Sequence, residues 1–469
     1  MKGSPLRVAL VKVLSVADEV VPPFGLGYLA EAVRRRGHEA FVVDALRDGL
    51  GEEALVSRIA GSNPDLVGVL LFSKDLRIVR SLLRAVRAAI PGAKTCVGGP
   101  HPSAVPAETM EYFGECLDFA FAGEAETGLP MLLDRLRDGA AGGLQEVPGL
   151  VYRADGAVAV NPRVFVEDLD ALSVAWDLIP PASYPRAPHG AYYRQFPIAP
   201  IVTSRGCPFQ CTFCAAECVS GRKVRRRSVE SVVSEIEMLR DRYGVREIHI
   251  EDDNFTGKKE YVLAFCEALR RRVPGIAWTC PNGVRVDTLD REMIAAMKAC
   301  GLYFLSIGVE SGSDRILKAV KKSLTVARIE EKVRLLREAG IEVSGFFMLG
   351  FPGETPAEME ETVRFALRLP LARASFANFQ PFPGCEEFAT LRERGEIPVD
   401  WESFEPTLQS TSYAPAGTTA QALRTLRKRA LWRFYGRPKV AWGMLRGIRS
   451  LDHAGSVLRR GWRWLTIEE

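Results

Sequence analysis

Three cysteines near the middle of the chain have a spacing that suits metal binding. Cys207, Cys211 and Cys214 fall within eight residues, in a segment that also contains Gly206 and Pro208. Three thiolates this close together can converge on one cuboidal iron–sulfur cluster. Such a cluster has four irons, so one iron is left without a protein ligand and can be chelated by a substrate's amino and carboxylate groups.

A structural zinc site is the alternative interpretation of the same cysteines. Zinc usually takes four Cys or His ligands, and Cys218 is an imperfect candidate for the fourth. The other cysteines have no partner at metal-ligand spacing. Those in apolar patterns are expected to be buried small hydrophobes, namely Cys96, Cys266, Cys280 and Cys300, whereas Cys116 and Cys385 lie near predicted loops.

The composition is that of a soluble protein with two or three domains. The 469 residues are 47% hydrophobic and 26% charged, with a net charge of +4 that gives no reason to expect nucleic-acid binding. No apolar run reaches the roughly 18 residues that span a bilayer. The segment Met1–Leu10 has no signal-peptide pattern. We therefore expect a cytoplasmic protein, in which clustered cysteines indicate metal or redox chemistry and not disulfides.

The first 142 residues alternate short apolar runs with helical periodicity. This alternation predicts an α/β domain with a doubly wound, five-stranded parallel sheet. Such sheets bind ligands beyond the carboxyl ends of their strands, at the topological switch point. The strand candidates are Arg7–Leu14, Ala40–Asp44, Leu66–Phe72, Lys94–Val97 and Phe119–Ala122.

A second alternating region predicts a partial (β/α)6 barrel over residues 197–385. Its chemistry is expected on the loops that follow the strands. Residues 143–196, rich in Pro, Gly, Ala and Tyr, are predicted to be a linker with a short hairpin, and residues 386–469 a basic, largely helical extension. The strand candidates are Ile198–Thr203, Glu247–Ile250, Ala277–Cys280, Tyr303–Gly308, Val343–Leu349 and Ala374–Phe379.

The pattern Cys-x3-Cys-x2-Cys, with Phe213 directly before the last cysteine, resembles the radical S-adenosylmethionine (SAM) family. The resemblance implies a [4Fe–4S] cluster on Cys207, Cys211 and Cys214 whose open iron binds the methionine end of SAM. It further implies that an electron from the cluster cleaves SAM to a 5′-deoxyadenosyl radical, with Phe213 close to the adenine.

Further segments resemble the SAM-binding positions of that family. Glu251, Asp252 and Asp253 follow the second strand of the barrel, where the family holds the methionyl amine, although the usual Gly-Gly-Glu is absent and the run could equally be a helix N-cap. The remaining implied SAM contacts, which could also be a surface acid and turn residues, are Arg285, Glu310, Ser311 and Gly350.

A doubly wound domain ahead of such a barrel resembles the cobalamin-binding subfamily. The matching segments are Pro22-Pro23-Phe24-Gly25, Gly98-Gly99-Pro100-His101 and Gly123-Glu124, whose glycines would let a bulky nucleotide tail approach the backbone. The cobalamin contacts that this resemblance implies are Pro23, Gly25, Phe72, Ser73, Lys74, Gly98, Gly99, Pro100, His101, Gly123 and Glu124.

One motif of many cobalamin domains, the cobalt-binding Asp-x-His-x-x-Gly, is missing. Only His38 and His101 lie in this domain; His38 is expected in a solvated turn and His101 along the nucleotide tail or corrin rim. The loop Phe72–Leu76 would then face the lower side of the corrin. We hypothesise that a lower face without imidazole eases formation of Co(I), which takes a methyl group from SAM.

The carboxyl-terminal segment is strongly basic and rich in aromatic residues. Between Arg424 and Leu465 there are twelve Lys or Arg and a single acid, Asp452. Its helices can pack on the barrel with solvated basic faces, or lie peripherally on an anionic membrane. Because Trp and Leu occur in stripes, nucleic-acid binding is not expected.

The resemblance implies a cobalamin-dependent radical SAM methyltransferase that acts on an unactivated carbon of a small-molecule or lipid-like substrate. A flavodoxin- or ferredoxin-type protein would supply electrons. A cyclase or rearrangement enzyme with the same cofactors is the first alternative, and a non-catalytic cobalamin sensor is the second.

Overall fold

An amino-terminal sheet and a barrel-like sheet carry most of the chain. The computed structural model describes residues 4–15, 20–139, 142–186, 193–397, 399–404, 410–448, 451, 453–455 and 457–458. The strands before residue 161 are β1 (Arg7–Lys12), β2 (Glu39–Asp44), β3 (Leu66–Leu70), β4 (Lys94–Gly98), β5 (Phe119–Phe121), β6 (Leu150–Ala154) and β7 (Ala157–Val160). The helices of this part are α1 (Phe24–Arg35), α2 (Ala45–Asp48), α3 (Glu52–Gly61), α4 (Leu76–Ala89), α5 (Pro100–Ala104), α6 (Pro106–Phe113) and α7 (Gly128–Arg137).

The amino-terminal sheet has the predicted doubly wound core. Its first five strands are parallel in the order β2-β1-β3-β4-β5, so the order reverses between β1 and β3. Val8, Ala9 and Val11 of β1 are fully buried, as expected for a strand that helices cover on both faces. The prediction of five parallel strands is confirmed, but β1 and β3 end two residues early, which leaves Leu14 and Phe72 in the loops beyond them.

A hairpin extends this sheet beyond the predicted five strands. β6 pairs antiparallel with β5, and β7 pairs antiparallel with β6, so the sheet has seven strands. Leu150 and Tyr152 of β6 are buried with Phe119 and Phe121 of β5. The start of the segment predicted as a linker is therefore part of the first sheet, because its apolar side chains cover the edge that β5 would otherwise expose.

The second sheet is the predicted partial barrel. Six parallel strands follow one another in the order β15-β14-β13-β12-β11-β8, and a separate two-stranded ribbon pairs β9 with β10. The strands are β8 (Ile198–Ile201), β9 (Ser204–Arg205), β10 (Arg225–Arg226), β11 (Glu247–Ile250), β12 (Ala277–Val284), β13 (Leu302–Glu310), β14 (Glu342–Leu349) and β15 (Arg373–Asn378). Its helices are α8 (Ala216–Ser220), α9 (Val229–Tyr243), α10 (Lys259–Arg272), α11 (Arg291–Ala299), α12 (Asp314–Ala319), α13 (Val326–Glu338) and α14 (Pro356–Arg368).

The segment between the two sheets packs on both. The hydroxyl of Tyr184 donates a hydrogen bond to Asp44 of the first sheet (3.0 Å), whereas the indole nitrogen of Trp176 donates one to Glu235 in α9 (2.9 Å). Both aromatic rings are buried. This connection therefore holds the two sheets together and is not a free tether.

The part of the chain described after the barrel includes the helices α15 (Glu386–Glu393), α16 (Ala420–Tyr435) and α17 (Pro438–Gly447). One face of α16 packs on the barrel, because Leu423, Ala430 and Phe434 are buried and the hydroxyl of Tyr435 donates to the carbonyl of Ala374 in β15 (2.8 Å). Among the described residues no helix is both long and apolar enough to cross a bilayer.

The packing of α16 can be tested with two aromatic residues of opposite exposure. Phe434 is fully buried, whereas Trp432 is 62% exposed. We expect Phe434→Ala to lower the free energy of unfolding by about 3–5 kcal/mol through the cavity it leaves. The matched Trp432→Ala should change it by less than about 0.5 kcal/mol. Urea unfolding followed by circular dichroism measures both, and equal losses would contradict this packing.

Candidate functional site

The cysteine loop follows β8 and is held in place by backbone contacts. Gly206 has a φ of +94°, and a Cβ at this position would lie 2.4 Å from the carbonyl oxygen of Lys223. The amide of Cys207 donates a hydrogen bond to the carbonyl of Gly221 (3.1 Å). The amide of Cys214 donates one to the carbonyl of Cys211 (3.1 Å). A glycine before the first cysteine is therefore required for the loop to lie against residues 221–223.

The three thiols share one recess. Cys207 and Cys211 are partly buried, whereas Cys214 is solvent-accessible but closely surrounded by protein. Burial raises the pKa of all three thiols, that of Cys214 to about 11, and each pKa is also raised by at least one neighbouring cysteine or acid. Lys322 and Arg285 oppose this effect at Cys211. Buried thiols that favour the neutral form need a bound cation to become thiolates, and a positively charged iron corner supplies it.

The donor set fits a cluster better than a single zinc ion. Within the described ranges, no three or more His, Cys, Asp or Glu side chains are arranged to hold one metal ion. In a cuboidal cluster each thiolate binds a different iron, so its ligands lie further apart than around one ion. Cys218, the candidate for a fourth zinc ligand, lies with its sulfur 3.1 Å from the carbonyl oxygen of Gly384.

The acidic run after β11 divides into different roles. Asp252 is buried and accepts hydrogen bonds from the amide of Thr203 (2.6 Å), the hydroxyl of Thr203 (2.5 Å) and the hydroxyl of Ser204 (2.7 Å). Burial nevertheless raises the pKa of Asp252 to about 6. The geometry therefore makes Asp252 an anchor of the strand that leads into the cysteine loop, and does not favour its predicted contact with SAM.

The other two acids of the run remain candidates for binding the methionyl amine. Asp253 is exposed and lies close enough to Cys207 and Cys214 to raise the pKa of both, after the larger effect of burial. Glu251 accepts a hydrogen bond from the side-chain amide of Asn282 (2.6 Å). The alternative of a helix N-cap is not borne out, because Lys258 occupies the N-cap position of α10.

Arg285 lies against the cysteine loop. Its guanidinium is 3.6 Å from the centroid of the Phe209 ring and makes hydrogen bonds of 3.2 Å to Asp287. The side chain is buried, yet among the described residues its Nη1 has no hydrogen-bond acceptor. A buried guanidinium donor left without a partner fits the predicted contact with a ligand carboxylate.

Glu310 ends β13 in the left-handed region, with a φ of +67°. Its carboxylate is paired with Lys322 (2.7 Å), and both side chains are almost buried. The Lys322 ammonium also lies 5.8 Å from the ring centroid of Phe213. The structure thus brings Glu310 and Phe213 together around one cation, whereas the hydroxyl of the predicted Ser311 is buried against Thr362 (3.2 Å), outside this group.

The loop after β14 has an internal carboxylate. Glu354 accepts hydrogen bonds from the amides of Gly350 (2.6 Å) and Phe351 (3.0 Å), while its second oxygen has no partner among the described residues. Burial raises the pKa of Glu354 to about 7. Leu423 of α16 packs on Gly350 from outside. The carboxyl-terminal helix therefore supports a loop predicted to lie beside adenine.

Two large apolar side chains are exposed at the topological switch point of the first sheet. Leu14 follows β1, Phe72 follows β3, and these two side chains are 42% and 41% exposed. Ser15, Lys74 and Asp75 form a hydrogen-bonded group beside them. Exposed apolar side chains at a switch point fit the broad apolar face of a corrin.

The predicted glycine segments of the first domain have different surroundings. Gly99 has a φ of +112°, and a Cβ there would lie 3.1 Å from the carbonyl oxygen of Leu71, so β4 and the loop after β3 come unusually close. Gly98 ends β4 and Pro100 begins α5, whereas Pro23 precedes α1 and Gly25 lies in its first turn with open space beside it.

The two histidines of this domain are both buried. His101 has its Nδ1 2.9 Å from the Ser73 hydroxyl, and burial lowers the pKa of His101 to about 4. His38 accepts from the amide of Leu6 (3.1 Å) and contacts Asp134 (3.3 Å). The expectation of a solvated turn for His38 is wrong, because the imidazole ties β1 to α7.

A buried ion-pair network joins the two sheets. Glu124 receives two hydrogen bonds from Arg225 (2.8 Å each), one from the amide of Val166 (2.7 Å), and pairs with Arg205 (3.3 Å), which also pairs with Glu126 (2.7 Å). Burial alone would raise the pKa of Glu124, but the two arginines lower it. The carboxylate of Glu124 is thus occupied by arginines and a backbone amide, which does not favour its predicted contact with cobalamin, and the adjacent Gly123 has the Arg163 side chain beside it.

Arg205, Arg225 and Glu126 are not among the functional residues predicted from the sequence. Arg205 is separated from Cys207 by a single residue, but its partners lie about eighty residues earlier in the chain. Local spacing carries no signal for such a pair. The one signal in the sequence is the charge of Arg205, which lies beside a loop that is otherwise rich in glycine and cysteine.

Two family models match separate parts of the chain. Residues 201–366 match the family model of the radical SAM superfamily, and residues 10–133 match that of the B12 binding domain. An uncharacterized methyltransferase of Pyrococcus horikoshii is 30% identical over 465 residues, which cover 98% of this chain and 96% of the relative.

Two further relatives have named activities. Cytidylyl-2-hydroxyethylphosphonate methyltransferase of Streptomyces wedmorensis is 30% identical and matches 82% of this chain and 80% of its own. An anaerobic magnesium-protoporphyrin IX monomethyl ester cyclase of Cereibacter sphaeroides is 28% identical, with 80% of this chain and 61% of the relative covered.

Solved structures share the fold. The radical SAM methyltransferase TsrM of Kitasatospora setae, with cobalamin and a [4Fe–4S] cluster bound, superposes with a TM-score of 0.70 at 20% identity, covering 92% of this chain and 82% of that chain. The cobalamin-dependent radical enzyme OxsB, with aqua-cobalamin and SAM bound, gives 0.73 at 18% identity, covering 98% and 71%.

Removing one partner of the junction network should destabilise the protein strongly. In Glu124→Gln the buried Arg225 keeps its charge but loses its counter-ion, and we expect the free energy of unfolding to fall by about 3–5 kcal/mol. The matched control is Glu167→Gln, since Glu167 pairs with Lys223 in the same region but both side chains are exposed. That variant should lose less than about 1 kcal/mol. Chemical unfolding measures both, and a small loss in Glu124→Gln would contradict the network.

Glu354 should give the stability a distinctive pH dependence. Its pKa is raised from 4.5 to about 7 by burial, so the folded state prefers the protonated carboxyl. The stabilisation that the protonated Glu354 provides is complete below the pKa of this carboxyl in the unfolded chain. It is lost as the pH rises through its pKa in the folded protein. Relative to Glu354→Gln, the wild type should therefore lose up to about 3 kcal/mol of unfolding free energy between pH 5 and pH 8.

Glu358 provides the control for that measurement. The hydrogen bond from Arg315 lowers the pKa of Glu358 to about 2, so its contribution is lost only as the pH falls below 4.5. The difference between wild type and Glu358→Gln should be constant from pH 5 to pH 8. A constant difference for Glu354→Gln as well would refute the raised pKa.

Proposed function

Because the chain belongs to the cobalamin-dependent radical SAM enzymes, we propose that it is a methyltransferase acting on an unactivated carbon of a small-molecule or lipid-like substrate. Its cofactors are a [4Fe–4S] cluster, SAM and cobalamin. When bound, the cluster supplies the electron that cleaves SAM, and cobalamin supplies the methyl group that is transferred.

One observation carries the proposal: the carboxyl ends of the two sheets face each other. Ser103 and Glu124, which follow β4 and β5, contact the loops after β8 through Arg163 and Arg225. We expect the cysteine loop and the exposed side chains of Leu14 and Phe72 to face a common space at this junction. Methyl transfer to a substrate carbon requires both cofactors within reach of that carbon, and such a space would allow it.

On the barrel side, the chain's residues would bind and orient SAM. Cys207, Cys211 and Cys214 would hold the cluster. Arg285 has a free buried donor for the methionyl carboxylate, and Glu251 or Asp253 would accept from the amine. Glu310 would accept from the ribose, although it must then share its carboxylate with Lys322. Phe213 and the Gly350 loop would pack on the adenine.

On the other side, residues at the switch point would contact the corrin and its nucleotide tail. Leu14 and Phe72 offer apolar surface, and Ser73 and Lys74 offer polar groups. Gly99 remains a predicted contact, although the space beside its Cα is taken by Leu70 and Leu71. Pro23, Gly25, Gly98, Pro100 and His101 remain predicted contacts. The hypothesis that cobalt has no imidazole ligand from this chain is retained; imidazole nitrogen coupling in the EPR spectrum of bound Co(II) would contradict it.

A flavodoxin- or ferredoxin-type protein would supply the electrons. Ring closure without methyl transfer is the second candidate function, favoured by the 28% identity to a protoporphyrin ester cyclase. The two candidates share every residue discussed for SAM and cobalamin. They differ only in whether the methyl group of SAM leaves the enzyme on the product.

Isotope transfer distinguishes them. We expect the reduced, reconstituted protein to release deoxyadenosine and to move label from methyl-labelled SAM onto cobalamin, and onto a carbon of the product once a substrate is supplied. Cys211→Ala should lose iron–sulfur absorbance and deoxyadenosine release altogether, because the cluster loses one of its three ligands. Cys218→Ala should retain both. Deoxyadenosine without labelled cobalamin would favour the cyclase.

A further inference from the structure

Helices α16 and α17 have an exposed face with an unusual composition. α16 and α17, with the residues between them, contain eight Lys or Arg and no acid. Since the chain has a net charge of only +4, the rest of it is net negative. Only part of this charge lies on the exposed face: Arg429, Lys439 and Arg446 are exposed, whereas Arg433 pairs with Glu360 of α14 (2.5 Å) and Arg437 donates to the carbonyl of Leu367 (2.7 Å).

The apolar residues of these helices fall into a buried set and an exposed set. Leu423, Ala430 and Phe434 pack on the barrel. Trp432, Trp442 and Leu445 do not, and are 62%, 59% and 60% exposed. Exposed apolar side chains that occur together and are rimmed by polar residues can mark a protein or membrane interaction site.

Apolar and basic side chains alternate on the exposed faces. Arg429 precedes Trp432 by three residues, and Lys439 precedes Trp442 by three, so each pair lies on one side of its helix. Arg446 follows Trp442 by one turn, with its guanidinium 5.4 Å from the indole ring. Arg429, Lys439 and Arg446 are all exposed. Long cationic side chains next to Trp and Leu can reach headgroups while the apolar groups enter the acyl region.

We propose that α16 and α17 dock the enzyme on an anionic lipid surface through Trp432, Trp442 and Leu445. The kind of partner that binds this surface is inferred from its charge and its exposed apolar side chains together. A nucleic acid would explain the cations but not exposed leucine, and an apolar protein partner would explain the leucine but not the exposed Arg429, Lys439 and Arg446. A bilayer with anionic headgroups matches both. The inference is independent of which reaction the enzyme catalyses.

The proposed lipid-binding surface lies close to the edge of the barrel. α16 packs on β15, the edge strand of the barrel, and Leu423 on its inner face supports the Gly350 loop. Lipid on the outer face of α16 would therefore lie one helix diameter from the barrel edge, about 10 Å. This position suits a substrate that partitions into the bilayer.

Vesicle flotation of the full-length, cluster-reconstituted protein tests the proposal. We expect flotation with vesicles of equal phosphatidylglycerol and phosphatidylcholine, at least about tenfold weaker binding to pure phosphatidylcholine, and a decrease of similar size when salt rises from about 0.05 to 0.5 M. Tryptophan emission should shift to the blue on binding.

Matched triple variants assign the effect to this surface. Trp432→Ser with Trp442→Ser and Leu445→Ser should abolish both flotation and the blue shift, and Arg429→Glu with Lys439→Glu and Arg446→Glu should abolish flotation. The control is Val160→Ser with Val164→Ser, which removes exposed apolar groups from the first domain and should leave binding unchanged. SAM cleavage to deoxyadenosine should be unchanged in all of them.

Three outcomes would overturn the proposal. The first is equal binding to neutral and anionic vesicles, or none to either. The second is tighter binding to a duplex DNA or a transfer RNA than to anionic vesicles. The third is a dimer in sedimentation that the apolar triple variant dissociates, without flotation of the wild type.

Discussion

Two arginines beside the cysteine loop are buried in this protein only because glutamates from the other sheet face them. Arg205 and Arg225 lie at the start and end of the stretch that contains the three cysteines, and Glu124 and Glu126 follow the last parallel strand of the first sheet. A guanidinium buried without a counter-ion would cost several kcal/mol. The ion pairs therefore fix which edges of the two sheets meet, and with them the space in which both cofactors would lie.

Acidic residues that look alike in the sequence have different roles in the site. The carboxylate of Asp252 accepts hydrogen bonds from Thr203 and Ser204, and that of Glu354 accepts them from two backbone amides. These two carboxylates shape loops. Asp253 and Glu310 lie instead among the cysteines and cations of the recess, where a carboxylate can also accept hydrogen bonds from a ligand. Arg285 supplies the complementary donor.

Helix α16 has one face against the barrel and one face exposed to solvent. The inner face of α16 supports the Gly350 loop, while its outer face presents Trp432 beside Arg429. In the sequence both faces read as one stripe of aromatic and basic residues. Helical periodicity predicts that a stripe exists, but which part of it meets the barrel depends on how the helix is rotated on β15.

The parallel strands of both sheets, the order of the two regions and the cysteine loop could be predicted from the sequence, because each is encoded by near-neighbour patterns: apolar runs, glycines and thiols a few residues apart. The sequence also pointed to Arg285 and Glu310. Three features could not be predicted in this way: the hairpin at 150–160 extends the first sheet, His38 is buried, and Glu124 binds arginine at the junction. These depend on contacts between residues far apart in the chain, and a pattern read along one chain carries no information about which distant charge or edge a residue will face.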